Sequence, residues 1–143
     1  DDFALSHPAG SLGKRLLLRV ADIMHKDEAL PAVLLGTPLK EAIVRMSEKG
    51  LGMLAVTDAE GRLKGVFTDG DLRRLFQERD SFAGLKVDDI MHASPKTISA
   101  DRLATEALKA MQSGHVNGLL VVEENGMLIG ALNMHDLLMA RIV

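Results

Sequence analysis

Apolar side chains at Leu39, Ala42, Ile43 and Met46 recur at i, i+3, i+4 and i+7, the spacing of a helix with one buried face. Thr37 is placed to cap that helix and Pro38 to open it, since proline suits a first turn whose N–H groups have no partner. Gly50 and Gly52 end it. The runs Met53-Leu54-Ala55-Val56 and Leu63-Lys64-Gly65-Val66-Phe67 then predict short strands, joined through Asp58-Ala59-Glu60-Gly61. A second helix is expected over about 69–77.

The same pattern returns. Val20-Ala21-Asp22-Ile23-Met24-His25 reappears as Val87-Asp88-Asp89-Ile90-Met91-His92, 67 residues on. Glu41, Ala42, Met46, Gly61, Gly65, Asp71 and Leu72 recur as Glu106, Ala107, Met111, Gly126, Gly130, Asp136 and Leu137, now 65 residues on. The second copy therefore carries a helix from 103 to about 113, strands at 119–122 and 127–132, and a helix from about His135. Each copy reads β-α-β-β-α. A unit of roughly 55 residues leaves much of its apolar area in water, a deficit that packing sheet against sheet would remove. Residues 79–86, with Asp80, Ser81 and Gly84, read as the connector.

Composition narrows the function. The 143 residues carry a net charge of -3, with four Phe and no Trp or Tyr, which argues against nucleic acid and its need for basic faces and stacking rings. Without Cys there are no disulfides, thiolate metal sites or Cys nucleophiles, and the chain is compatible with a reducing cytoplasm. No apolar run approaches the roughly 18 residues of a membrane span, and no signal peptide is read at the start. His7, His25, His92, His115 and His135 show no His-x-x-x-His or Glu-x-x-His spacing, so no metal and no cofactor is expected. His25 and His92 hold matching repeat positions and read as structural. Met46, Met53, Met111 and Met127 read as core filler. Lys14, Arg15 and Arg19 around Leu16-Leu17-Leu18, and the pair Arg73-Arg74, read chiefly as solvated helix faces, with Arg73 a minor candidate for a ligand phosphate.

Thr68-Asp69-Gly70-Asp71 sits where a strand hands over to a helix, a place that favours anions. A hydroxyl three residues before a carboxylate suits a phosphorylated nucleoside, the hydroxyl donating to phosphate and the carboxylate accepting from a ribose diol. The same spacing is also a capping box, the commoner reading of such a pattern taken alone. In the second copy Asn133-Met134-His135-Asp136 keeps the carboxylate and a residue able to cap, but not the hydroxyl.

The tandem unit, the two Asp-Ile-Met-His openings and Gly65-Val66-Phe67-Thr68-Asp69-Gly70-Asp71 resemble the cystathionine β-synthase (CBS) domain pair. The resemblance spans nearly the whole chain and implies an α/β (α+β) fold of two β-α-β-β-α repeats, packed sheet to sheet with pseudo-two-fold symmetry. Within it, Thr68 and Asp71 become ligand candidates before they are a cap. By the same resemblance Val66, Thr68 and Asp71 face Thr97, Val116 and Asn117 across one crevice, while Asn133 and Asp136 face Ala32, Leu51 and Gly52 across a weaker one. With Phe the only ring type, a base would rest on aliphatic side chains and backbone bonds.

Phe3-Ala4-Leu5-Ser6-His7-Pro8-Ala9-Gly10-Ser11-Leu12-Gly13, followed by Phe67-Thr68-Asp69-Gly70-Asp71-Leu72-Arg73-Arg74, looks like the bacterial D-arabinose 5-phosphate isomerase family. There a sugar-isomerase (SIS) domain, serving Kdo and lipopolysaccharide synthesis, precedes a CBS pair. The resemblance implies residues 1–19 as the isomerase domain's tail, 20–78 and 87–143 as the repeats, and 79–86 as linker. The tail departs from the family's His-Pro-Gly-Gly at Ala9, and His7 would be a contributor to the isomerase site in the full-length protein. The fragment itself is expected to be regulatory rather than enzymatic, binding a nucleotide or nucleotide-sugar such as an adenine nucleotide or cytidine-linked Kdo. It is expected in a cytoplasmic homodimer or higher homo-oligomer. A ligand-free oligomerisation module is the alternative.

Overall fold

A computed structural model of the chain describes residues 12–143. Two short helices, α1 (Leu12–Leu16) and α2 (Val20–Ile23), precede β1 (Ala32–Leu34), α3 (Leu39–Lys49), β2 (Met53–Thr57), β3 (Leu63–Thr68) and α4 (Asp69–Glu78). The order then repeats as β4 (Thr97–Ile98), α5 (Ala104–Gly114), β5 (Gly118–Val122), β6 (Leu128–Asn133) and α6 (Met134–Met139). In each copy the first strand runs parallel to the second, and the second antiparallel to the third. The two three-stranded sheets, β1-β2-β3 and β4-β5-β6, match the α+β repeat architecture expected.

Successive side chains of a strand face opposite sides of its sheet, and this alternation divides the interior into three layers. In β2, Leu54 and Val56 join Leu39, Ala42 and Met46 of α3 and Phe67 of β3, while Met53 and Ala55 turn the other way. In β5, Leu119 and Val121 pack with Ala104, Ala107 and Met111 of α5, while Leu120 turns to meet Met53, Ala55 and Ala131. The sheets thus touch through those last four side chains, none more than 4% exposed, with a helical layer outside each.

Core membership crosses the copies. Val20 is buried with Ala104, Ala107, Met111 and Leu137 of the second copy, and Val87 with Leu39, Ala42, Met46 and Phe67 of the first. The His25 N–H donates to the Ala131 carbonyl at 2.8 Å and the Ala131 N–H returns a bond at 3.0 Å. His92 and Val66 exchange the same reciprocal pair at 2.8 and 3.0 Å. Each Ile-Met-His segment therefore extends the edge of the opposite copy's sheet. Two glycines permit the approach. A Cβ on Gly65 would lie 2.5 Å from the Met91 sulfur and 2.8 Å from the His92 carbonyl oxygen, and one on Gly130 would lie 2.5 Å from the Met24 sulfur. The hairpin turns are joined reciprocally as well, Leu63 N–H to the Gly126 carbonyl at 2.9 Å and Leu128 N–H to that of Gly61 at 3.0 Å, which expresses the pseudo-two-fold axis.

The start of α3 differs from expectation by one residue. Pro38 is its N-cap, with ψ 139°, and Leu39 its first residue. The Leu39 N–H donates to the Leu85 carbonyl at 2.9 Å, so the connector holds Pro38 extended. Thr37 instead donates its hydroxyl to the Leu34 carbonyl at 2.7 Å.

Candidate functional site

The two strand-to-helix junctions, β3 into α4 and β6 into α6, are built alike. In the first, the Asp71 N–H donates to Thr68 Oγ1 at 3.2 Å and the Thr68 N–H donates to Asp71 Oδ2 at 2.8 Å, a reciprocal capping box. Asn133 and Asp136 close the second box, at 3.0 and 2.8 Å. The capping reading of the Thr-x-x-Asp spacing is thus realised in both copies.

Each carboxylate has a further partner that its own copy does not supply. His92 Nε2 lies 2.7 Å from Asp71 Oδ1, and His25 Nε2 lies 2.8 Å from Asp136 Oδ1. Arg74 also donates to Asp71 Oδ1, an ion pair that Met139 cannot reproduce at the matching position in α6. Asp71 is only 8% exposed, yet it stays charged readily. Burial is the largest single influence and pushes its carboxyl up, but the Thr68 N–H, His92 and the Thr68 hydroxyl together outweigh it and hold the group below its usual range. A ribose diol seeking Asp71 would have to displace Arg74 or share the remaining lone pair of Oδ2.

The caps differ in what they leave available. Asn133 spends its Oδ1 on the cap and its Nδ2 on the Leu51 carbonyl, 3.3 Å away across the seam between the copies. Thr68 accepts its capping bond on one lone pair, and its O–H, which also bears on the Asp71 carboxylate, can rotate to a ligand oxygen.

The other expected site residues fall as follows. Val66, Ala32 and Leu51 pack against the apolar cluster between the sheets. Gly52, at φ +76°, offers its carbonyl to the Asp69 N–H at 3.1 Å. Met53 pairs with Thr68 across β2 and β3, and its sulfur lies 2.7 Å from where a Gly118 Cβ would stand, at the start of β5; Asn117, the residue before, is exposed. Val116 packs instead against the second copy's helical core. Thr97 is exposed on an edge strand beside a groove of about 640 Å³ shared with Ser99, Arg102, Glu106 and Lys109. Ala32 borders a related groove of about 560 Å³ with Arg45 and Lys49. His7 lies outside the described residues. Among the described residues no three His, Asp or Glu side chains gather to hold a metal, and no helix is long and apolar enough to cross a membrane. His92, His25 and Arg74 were not among the expected site residues. The recurrence of Ile-Met-His at matching repeat positions was the trace of the two histidines, and the Arg73-Arg74 pair that of Arg74.

Comparison with known proteins bears on this geometry directly. The CBS domain family matches residues 20–78 and 87–142. The chain belongs to the CBS domain family. Over all 143 residues this CBS pair is 50% identical to the arabinose 5-phosphate isomerase KdsD of Pseudomonas aeruginosa and 43% identical to that of Escherichia coli. It spans 44% and 43% of the lengths of those two proteins. Among solved structures, it is similar to CBSX2 in complex with AMP, with a TM-score of 0.76 and 29% identity over 87% of this chain and 96% of that one. An uncharacterized conserved protein from Pyrococcus horikoshii gives a TM-score of 0.76 and 28% identity over 88% and 93%.

Proposed function

We propose that this CBS pair is the regulatory part of an arabinose 5-phosphate isomerase of Kdo and lipopolysaccharide synthesis, working in the cytoplasm. Residues 1–19 form the tail of the isomerase domain, and 79–86 link the two repeats. A nucleotide or nucleotide-sugar, either an adenine nucleotide or cytidine-linked Kdo, enters the crevice of Val66, Thr68 and Asp71 with Thr97, Val116 and Asn117. The crevice of Asn133 and Asp136 with Ala32, Leu51 and Gly52 binds more weakly. The observation that carries this reading is the Thr68 hydroxyl, oriented by its cap, still able to donate, and adjacent to a charged carboxylate at the seam. The AMP in the CBSX2 structure and the identity to KdsD across the whole chain support it.

Because each carboxylate is held by the other copy's histidine, a ligand that engages Asp71 bears on the second copy's opening segment through His92. Regulation needs only a difference in affinity between two packings of the repeats, typically about 1–3 kcal/mol. Calorimetric titration of the chain with AMP and with cytidine-linked Kdo tests the reading, with Asp71→Ala as control. Saturable binding to the wild type that the variant loses is expected; no heat at millimolar ligand refutes it.

A second reading, an oligomerisation module of the same isomerase, is favoured by apolar side chains left in solvent. Phe76 on α4 is 64% exposed, and Leu138 and Met139 on α6 are 54% and 70% exposed. Removing residues 20–143 from the parent isomerase would then change its assembly state without changing its response to nucleotides.

A further inference from the structure

Two of the chain's three asparagines precede glycine, in Asn117-Gly118 and Asn125-Gly126. A glycine has no side chain to keep its nitrogen from the preceding asparagine's amide carbon, so local sequence gives both pairs the chemistry of cyclic imide formation. The fold treats them differently. The Asn117 carbonyl accepts from the Met134 N–H at 2.8 Å, and Gly118 opens β5 against Met53. The Asn117–Gly118 peptide is therefore held beside β6 and cannot rotate toward its own side chain without losing that bond. Asn125 instead stands exposed at the tip of the β5–β6 hairpin, in a loop closed by the Glu123 N–H to the Met127 carbonyl at 2.9 Å. Its Oδ1 accepts from the Met127 N–H at 3.1 Å, which folds the side chain forward over the Gly126 amide and polarises the side-chain carbonyl. The Asn125 main-chain carbonyl accepts no backbone bond among the described residues. One bond restrains the attacking nitrogen, from the Gly126 N–H to the Glu123 carbonyl at 2.9 Å, and it lies at a loop tip, where local opening costs least.

We infer that Asn125 is a site of spontaneous deamidation, and that its isoaspartyl product loosens the join between the two copies. The Gly126 nitrogen bonds to Asn125 Cγ, the Cγ–Nδ2 bond breaks, and the Gly126 amide proton leaves with Nδ2 as ammonia. Water then opens the imide ring, at Cγ to give aspartate or at the main-chain carbonyl carbon to give isoaspartate. Isoaspartate routes the main chain through Cβ and Cγ and so inserts an extra carbon immediately before Gly126. The Gly126 carbonyl accepts from the Leu63 N–H of the first copy at 2.9 Å, and the Leu128 N–H returns a bond to Gly61 at 3.0 Å. A lengthened turn cannot keep both. Aspartate keeps the length of the turn, and the first copy already carries a carboxylate, Glu60, at the matching position.

The experiment has two arms. In the first, the wild type and Asn125→Gln are aged for days in mildly alkaline buffer, digested at glutamate and labelled with an isoaspartate methyltransferase; cleavage at Glu123 and Glu124 separates Asn117 from Asn125. Label is expected to accumulate in the Asn125 peptide, to be lower in the Asn117 peptide, and to vanish from the former in Asn125→Gln. No label at Asn125, or as much at Asn117, overturns the site. In the second, hydrogen exchange at the Leu63 amide is followed by NMR in the fresh chain, the purified isoaspartyl form and Asn125→Asp. Faster exchange is expected in the isoaspartyl form alone. An unchanged Leu63 rate in that form, or equal acceleration in Asn125→Asp, overturns the loosening of the join.

Discussion

Gly65→Ala perturbs the place where the second Ile-Met-His segment joins the first copy's sheet. The new methyl group would stand 2.8 Å from the His92 carbonyl oxygen and 2.5 Å from the Met91 sulfur, where 3.4 Å is ordinary contact. The thioether can swing away; the backbone oxygen cannot without moving the segment by about 0.6 Å, the shortfall between 2.8 and 3.4 Å. That movement stretches the Val66–His92 pair of bonds, now 2.8 and 3.0 Å, beyond good hydrogen-bond length. Two such bonds contribute about 1–3 kcal/mol net, and overpacking costs about 1–3 kcal/mol, partly the same energy. A loss of about 3 kcal/mol follows, or roughly 10 °C in Tm for a chain of this size. Urea unfolding followed by circular dichroism measures it, with Gly70→Ala as a helical control expected to gain roughly 0.5–1 kcal/mol. Adding Met91→Ala to Gly65→Ala should recover only part of the loss. Wild-type stability for Gly65→Ala, or complete rescue by Met91→Ala, would show that the His92 backbone is not seated against this strand.

Three further outcomes are expected. The Asp71 carboxyl is held below its usual range, so its charge stabilises the fold above about pH 3.8 and that contribution disappears as the pH falls through its lower folded value. The stability gap between wild type and Asp71→Asn, measured by denaturant titration from pH 6 to pH 2, should narrow below about pH 3.8; a gap that widens there reverses the sign. Asn133→Ser keeps a capping oxygen but loses the amide bond to the Leu51 carbonyl, and should cost about 0.5–1.5 kcal/mol by the same titration. Asn133→Ala should cost roughly a further 1 kcal/mol through loss of the cap. Replacing Phe76, Leu138 and Met139 by Lys should shift the sedimentation coefficient to a smaller species if these faces pair two copies, while an unchanged coefficient counts against that pairing.

Strand alternation and helical spacing were legible in the sequence because burial repeats with the geometry of each element. Leu54 and Val56 face a helix and Met53 and Ala55 face the other sheet, as an apolar strand buried on both sides requires. The crossing of the opening segments was not legible. Self-similarity shows that residues 20–25 and 87–92 are equivalent, but equivalent segments satisfy the pattern equally well on either copy. His25 reaches a carboxylate 111 residues away and His92 one only 21 residues away. The α3 boundary moved for a related reason, a bond from the distant connector overruling a local preference. The caps were visible because their chemistry is local. The Arg73-Arg74 pair reads as a solvated face, and both side chains are exposed, but Arg74 also pairs with Asp71, a contact that local sequence did not reveal.

Crystals of the chain grown with saturating AMP would test the regulatory site at its core. Density for a nucleotide at the seam is expected, its phosphate against Thr68 and its sugar beside Asp71, with the Asn133 junction less fully occupied. Nucleotide bound away from both Thr68 and Asp71, or no bound nucleotide at all, would contradict it.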